Sequence, residues 1–127
     1  MADRFPRAQV KVFYCLRAKH ALPQSICEGA KDLHQHTWSV AFGYRHERNG
    51  PWTWDRGEFH QRIKPLIDEL QDTDLGEVIG EPASDEVLAS YLVQKSPGWV
   101  DFVEIERWTE DEPSQRAVTT VRRIDLR

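Results

Sequence analysis

The chain is 127 residues long, 39% hydrophobic and 30% charged, with a formal net charge of −4. That is the size of one domain, and a mildly acidic chain without a basic stripe argues against nucleic acid as the main partner. No apolar run approaches a membrane-spanning length, residues 1–7 lack the apolar core of a secretory signal, and two cysteines, Cys15 and Cys27, point to a reducing, cytoplasmic setting rather than a disulfide framework.

The predicted order of elements is strand, strand, helix, helix, strand, strand, an α+β pattern. Val10 to His20 alternates with Val, Val, Tyr, Leu, Ala and His at the even positions, the period of a half-buried strand. A loop over 23–33 leads to a second strand from His34 to about His46, again with its large residues (Trp38, Val40, Phe42) at even positions. Residues 47–51, Glu-Arg-Asn-Gly-Pro, form a turn cluster. Asp55 then caps a helix, with Glu58 completing a capping-box pattern. Phe59, Ile63, Leu66, Ile67 and Leu70 follow at helical spacing, and Pro65 kinks or divides that run. Ser84 caps the second helix, with Asp85 and Glu86 in its first turn, where the dipole favours them. Val87, Leu88, Tyr91 and Leu92 form its buried stripe, and Ser96-Pro97-Gly98 ends it. Period two returns from Trp99 to Trp108 and from Ala117 to Ile124, across an acidic turn at 110–114. In the third strand Phe102, Glu104, Glu106 and Trp108 share one face, and Val103 and Ile105 the other.

Three histidines stand out against this pattern. His34 and His36 are two apart on one strand and so project from one face. His20 closes the preceding strand at the same parity, so a hairpin would bring all three together at the rim of an apolar face. Three imidazoles with a fourth position left for water or substrate form the ligand set of a catalytic zinc site. Cys15, of opposite parity to His20, reads as a packed thiol. Cys27, in the loop before His34, is a candidate functional thiol.

These features resemble the 6-pyruvoyl-tetrahydropterin synthase and 6-carboxy-tetrahydropterin synthase family, over roughly Val10 to Arg123. The segment 18–23, Ala-Lys-His-Ala-Leu-Pro, is similar to the family's Ala-Ala-His-x-Leu, and 33–38, Leu-His-Gln-His-Thr-Trp, to its His-Gly-His-x-Tyr/Phe. Trp54-Asp55 resembles the entry to the first helix, and 82–89 resembles Pro-Thr-x-Glu-x-Leu-Ala with one residue extra. Val103-Glu104-Ile105-Glu106 resembles the closing strand that ends in Glu. The resemblance implies the tunnelling (T-) fold, ββααββ, an antiparallel four-stranded sheet with two helices on one face, assembled as a homohexamer. It implies Zn2+ held by His20, His34 and His36. It further implies a pterin-like substrate anchored by Glu106 and a carbon–oxygen lyase or cyclase reaction; Glu86, in the first turn of the second helix, is a further substrate-binding candidate.

The departures from the family pattern are specific. Ala30 stands where the family has its cysteine, and Cys27 lies three residues earlier. Gln71 and Asp72 stand where the family has its Asp-His pair, leaving Cys27, Asp72 and Asp74 as candidates for proton transfer. Arg107 replaces the Thr that follows the anchoring Glu. Three readings follow: a zinc-dependent lyase or cyclase of the pterin-synthase type, a relative recruited to another small-molecule reaction, or a zinc- or ligand-binding protein without catalysis.

Overall fold

Two long alternating strands set the frame. In the computed structural model, which describes residues 8–23, 25, 31–45, 55–108 and 116–126, β1 (Gln9–His20) and β2 (His34–Arg45) pair antiparallel from Gln9 opposite Arg45 to His20 opposite His34. β3 (Phe102–Trp108) pairs with β2, and β4 (Arg116–Arg122) with β3, giving one antiparallel sheet in the order β1-β2-β3-β4. Between β2 and β3 lie α1 (Arg56–Arg62), α2 (Lys64–Asp68), α3 (Leu75–Ile79) and α4 (Asp85–Lys95). The α+β expectation of a four-stranded antiparallel sheet with helices on one face holds.

The core follows from the parity of the strands. Leu16 and Ala18 of β1, Trp38, Val40, Phe42 and Tyr44 of β2, and Val103 and Ile105 of β3 are fully buried with Phe59, Ile63, Ile67, Leu70, Leu88, Ala89, Leu92 and Val93. The helices therefore cover the even face of the hairpin, and no described element covers the other. On that open face the Phe102 ring lies over Gly43, its register partner, where an added Cβ would fall 2.0 Å from Phe102 Cζ.

Several boundaries differ from the sequence expectations, each for a local reason. Asp55 caps α1 as expected, accepting from the Glu58 amide. The helix divides at Ile63, and Pro65 opens α2, where its missing N–H costs nothing. The short α3, capped by Asp74, was not anticipated. The buried stripe of α4 is Leu88, Ala89, Leu92 and Val93, with Val87 and Tyr91 half-buried at its edge. β3 begins at Phe102 rather than Trp99, because Val100 N–H donates to Pro97 O and closes a turn. β4 ends at Arg122, and a single 3₁₀ turn (Arg123–Asp125) takes up residues expected to be strand. There Arg123 turns its guanidinium back to donate to the carbonyls of Val93, Pro97 and Val100, tying the chain end to the end of α4. Cys15 has the expected parity but is exposed on the open face rather than packed. The turn clusters at 47–51 and 110–114, and Cys27, lie outside the described residues.

Candidate metal centre

The hairpin register brings the three histidines together. His20 ends β1, directly opposite His34 at the start of β2, and His36 follows on the same face of β2. Their ring centroids stand 4.6–4.9 Å apart, and one nitrogen from each lies within 4.8 Å of the other two. Trp38 floors the group, its ring edge-on to His20 at 5.2 Å and His36 at 5.4 Å.

Backbone carbonyls fix two of the three tautomers. His20 Nδ1 lies 2.8 Å from Ala83 O, and His34 Nδ1 lies 2.7 Å from Asp32 O. A carbonyl only accepts, so the proton of each neutral ring sits on Nδ1 and the Nε2 lone pair is left free. His20 is fully buried, and among the described residues its Nε2 has no hydrogen-bond partner. A buried acceptor without a donor is costly, and a metal ion is the partner this donor set suits. Second contacts of this kind orient ligands in metal sites.

Burial and neighbouring charge keep two of the rings, His20 and His36, neutral. Burial, followed by the nearby charges of Arg107, His20 and His34, pushes the His36 pKa down to about 4. Burial, followed by His34 and Arg107, also lowers that of His20, against the bond to Ala83 O and the Asp85 charge, which raise it. At neutral pH these two imidazoles are thus uncharged and able to ligate.

Two residues complete the surroundings that sequence reasoning did not assign to this site. Arg107 continues the parity of Val103 and Ile105, and it sits opposite Trp38 on the helix-covered face. Its Nη1 lies 3.5 Å from His36 Nε2, and its Nε 3.8 Å from Asp85 Oδ2. Asp85 Oδ1 accepts from Trp38 Nε1 at 3.1 Å. Period-two alternation carried one residue beyond Ile105 would have placed Arg107 here.

The remaining candidates lie elsewhere. Glu106 is on the open face, where Oε1 is 3.1 Å from Arg116 Nη1, off-axis for a hydrogen bond. Its neighbour on that face, Glu104, pairs with Lys11. Within one chain, then, the sheet separates Glu106 from the histidines. Glu86 is exposed and lines a groove with Ile79, Val87 and Tyr91. Asp74 Oδ1 accepts from Gly76 N–H as the cap of α3. Asp72 is exposed at a left-handed turn with φ 60°. Among the described residues no hydrogen bond or ion pair joins Asp72 or Asp74 to the histidines.

Gln71 has a structural task. Its Nε2 donates to Cys15 O and its Oε1 accepts from Arg17 N–H, so one side chain satisfies both groups of the exposed β1 edge. Asp72 N–H donates to Arg17 O, and Lys19 N–H to Thr73 O, extending that cover. A carboxylate could accept but not donate here.

No protein-family model and no curated protein sequence matches the chain. Among solved structures, the 6-pyruvoyl tetrahydropterin synthase of Caenorhabditis elegans superposes with a TM-score of 0.74 over 94% of this chain and 98% of that one, at 15% identity. The chain has that fold. The likeness spans essentially the whole of both chains, as the ββααββ order led one to expect. The three histidines occupy the rim of the shared sheet.

Proposed function

We propose that this protein is a zinc-dependent enzyme of the carbon–oxygen lyase type, built on the pterin-synthase fold and acting on a pterin or a related small polar heterocycle. The observation that carries this reading is the histidine cluster, with two rings held by carbonyls so that their Nε2 atoms are free. His20, His34 and His36 would hold the ion. When bound, zinc supplies Lewis acidity and lowers the pKa of a coordinated hydroxyl or water. Trp38 and the surrounding core keep bulk water from the inner side of the site. Burial, reinforced by Arg107, keeps His20 and His36 deprotonated at neutral pH.

Proton transfer is where the reading departs from the family's residues. Of the three candidates Cys27, Asp72 and Asp74, Asp74 is engaged as a helix cap and Asp72 faces solvent. Cys27 is therefore the variant that discriminates. Cys27→Ala should abolish turnover and leave zinc bound if the thiol is the base.

Elemental analysis should find about one zinc per chain, and replacing any one of the three histidines by Ala should lower that content severalfold. Triphosphate release on incubation with dihydroneopterin triphosphate, read by phosphorus NMR, would support the standard reaction of that fold. Zinc without triphosphate release would favour the second reading, a relative with a different substrate and reaction, which the placement of Gln71, Asp72 and Asp74 also supports. Absence of metal after zinc is supplied would defeat both.

We further propose a homo-oligomer in which copies pair through the open face and sheet edges. Such an arrangement would let Glu106 of one copy serve the histidines of another as a substrate anchor.

A further inference from the structure

The guanidinium of Arg107 is poorly matched to its surroundings. It is half-buried, with a side chain 30% exposed. Of its five N–H donors, none has a short acceptor among the described residues. Nε stands 3.8 Å from Asp85 Oδ2, beyond hydrogen-bond reach, and Nη1 stands 3.5 Å from His36 Nε2, at the limit of it. Asp85 commits its other oxygen to Trp38. It thus sits on the Nε side of the guanidinium, while Nη1 is directed at His36.

A metal ion on the three histidines would make that mismatch worse. It would take the His36 lone pair, the one acceptor that Arg107 Nη1 approaches, and set a second positive charge beside the guanidinium. Two cations so close in a half-buried site are stable together only with an anion between them. We infer that the substrate supplies this anion as a carboxylate, bound jointly by the metal and by the Nη edge of Arg107. This rests on the zinc reading above and specifies a substrate class for its second form, since dihydroneopterin triphosphate carries no carboxylate. A planar guanidinium fork matches a carboxylate in a bidentate pair. Arg107 is also the one Lys or Arg whose charge acts on His20 and His36 among the described residues.

The test uses cobalt(II) in place of zinc, because its visible absorption reports the ligands around the ion. The cobalt protein is titrated with glycolate, with uncharged methyl glycolate, and with inorganic phosphate. Glycolate should shift the spectrum and bind at least tenfold more tightly than its ester and than phosphate. In Arg107→Gln the glycolate affinity should fall at least tenfold, toward that of the ester, while the cobalt spectrum of the free protein persists. Arg107→Lys should fall between the two, and it serves where the Gln variant does not fold. Equal glycolate affinity in wild type and Arg107→Gln overturns the inference and leaves the metal site standing. Tighter phosphate than glycolate binding overturns the carboxylate assignment. A protein that takes up no cobalt overturns the zinc reading itself, and the inference with it.

Discussion

His36 couples the site to the stability of the metal-free protein. Its pKa lies near 4 in the folded chain against an ordinary 6.5, chiefly through burial and then through Arg107. Between those values the unfolded chain binds a proton that the folded chain does not, so stability must fall as pH drops through this window. The contribution is intact above pH 6.5 and fully lost below about 4, and His20 is shifted in the same direction. The melting temperature of metal-stripped protein should therefore decline from pH 6.5 to 4.5, and His36→Asn should flatten part of that decline. An identical slope in the variant would mean that other groups govern the acid transition. The histidine triad was legible in the sequence because a β-strand fixes side-chain direction by parity alone, and His20, His34 and His36 are all even. Arg107 was legible by the same rule. Asp85 was not, because only the packing of α4 on the sheet brings its carboxylate to Trp38 and Arg107.

At the scale of the element, β1 shows how a sheet edge is covered. The strand is at the sheet edge, and edges need cover. Gln71 meets Cys15 O and Arg17 N–H with one amide, and residues 72–74 continue along the strand to an isolated parallel bridge between Lys19 and Asp74. Gln71→Ala should cost about 1 kcal/mol, since the freed groups can turn to water, and amide exchange at Arg17 should speed up markedly. Unchanged exchange at Arg17 would show that the clamp does not hold in solution. A harsher change is Gly43→Ala. The Phe102 ring occupies the space a Cβ needs, so the ring must swing away at a cost of about 1–3 kcal/mol, readable as a shift of the denaturation midpoint. Both contacts join residues far apart in the chain, which is why neither could be read from local pattern. The same holds for α3, a five-residue helix too short to show a period.

For the molecule as a whole, the open face of the sheet is the surface that the proposed assembly would use. Phe13 and Val118 are exposed there, at 59% and 56%, beside the pairs Lys11–Glu104 and Arg116–Glu106. β4, at the other edge of the sheet, has no strand beyond it in the described chain. An open sheet face carrying exposed apolar residues among charged pairs is a surface that a second copy can cover. The proposed homo-oligomer should appear in light scattering as a mass several times the 14.8 kDa of one chain, and Phe13→Lys should shift it toward the monomer. Glu106 gives this a functional readout. In one chain it faces away from the histidines and is paired with Arg116, so any role as a substrate anchor requires the neighbouring copy. Glu106→Gln turns a two-oxygen acceptor into half a donor and should weaken binding of a pterin-like ligand severalfold in the oligomer, with zinc content unchanged. Phe13→Lys monomers should lose the same binding while still holding zinc. If monomers bind the ligand as tightly as the assembled protein, the site is complete within one chain and Glu106 serves only its ion pair with Arg116.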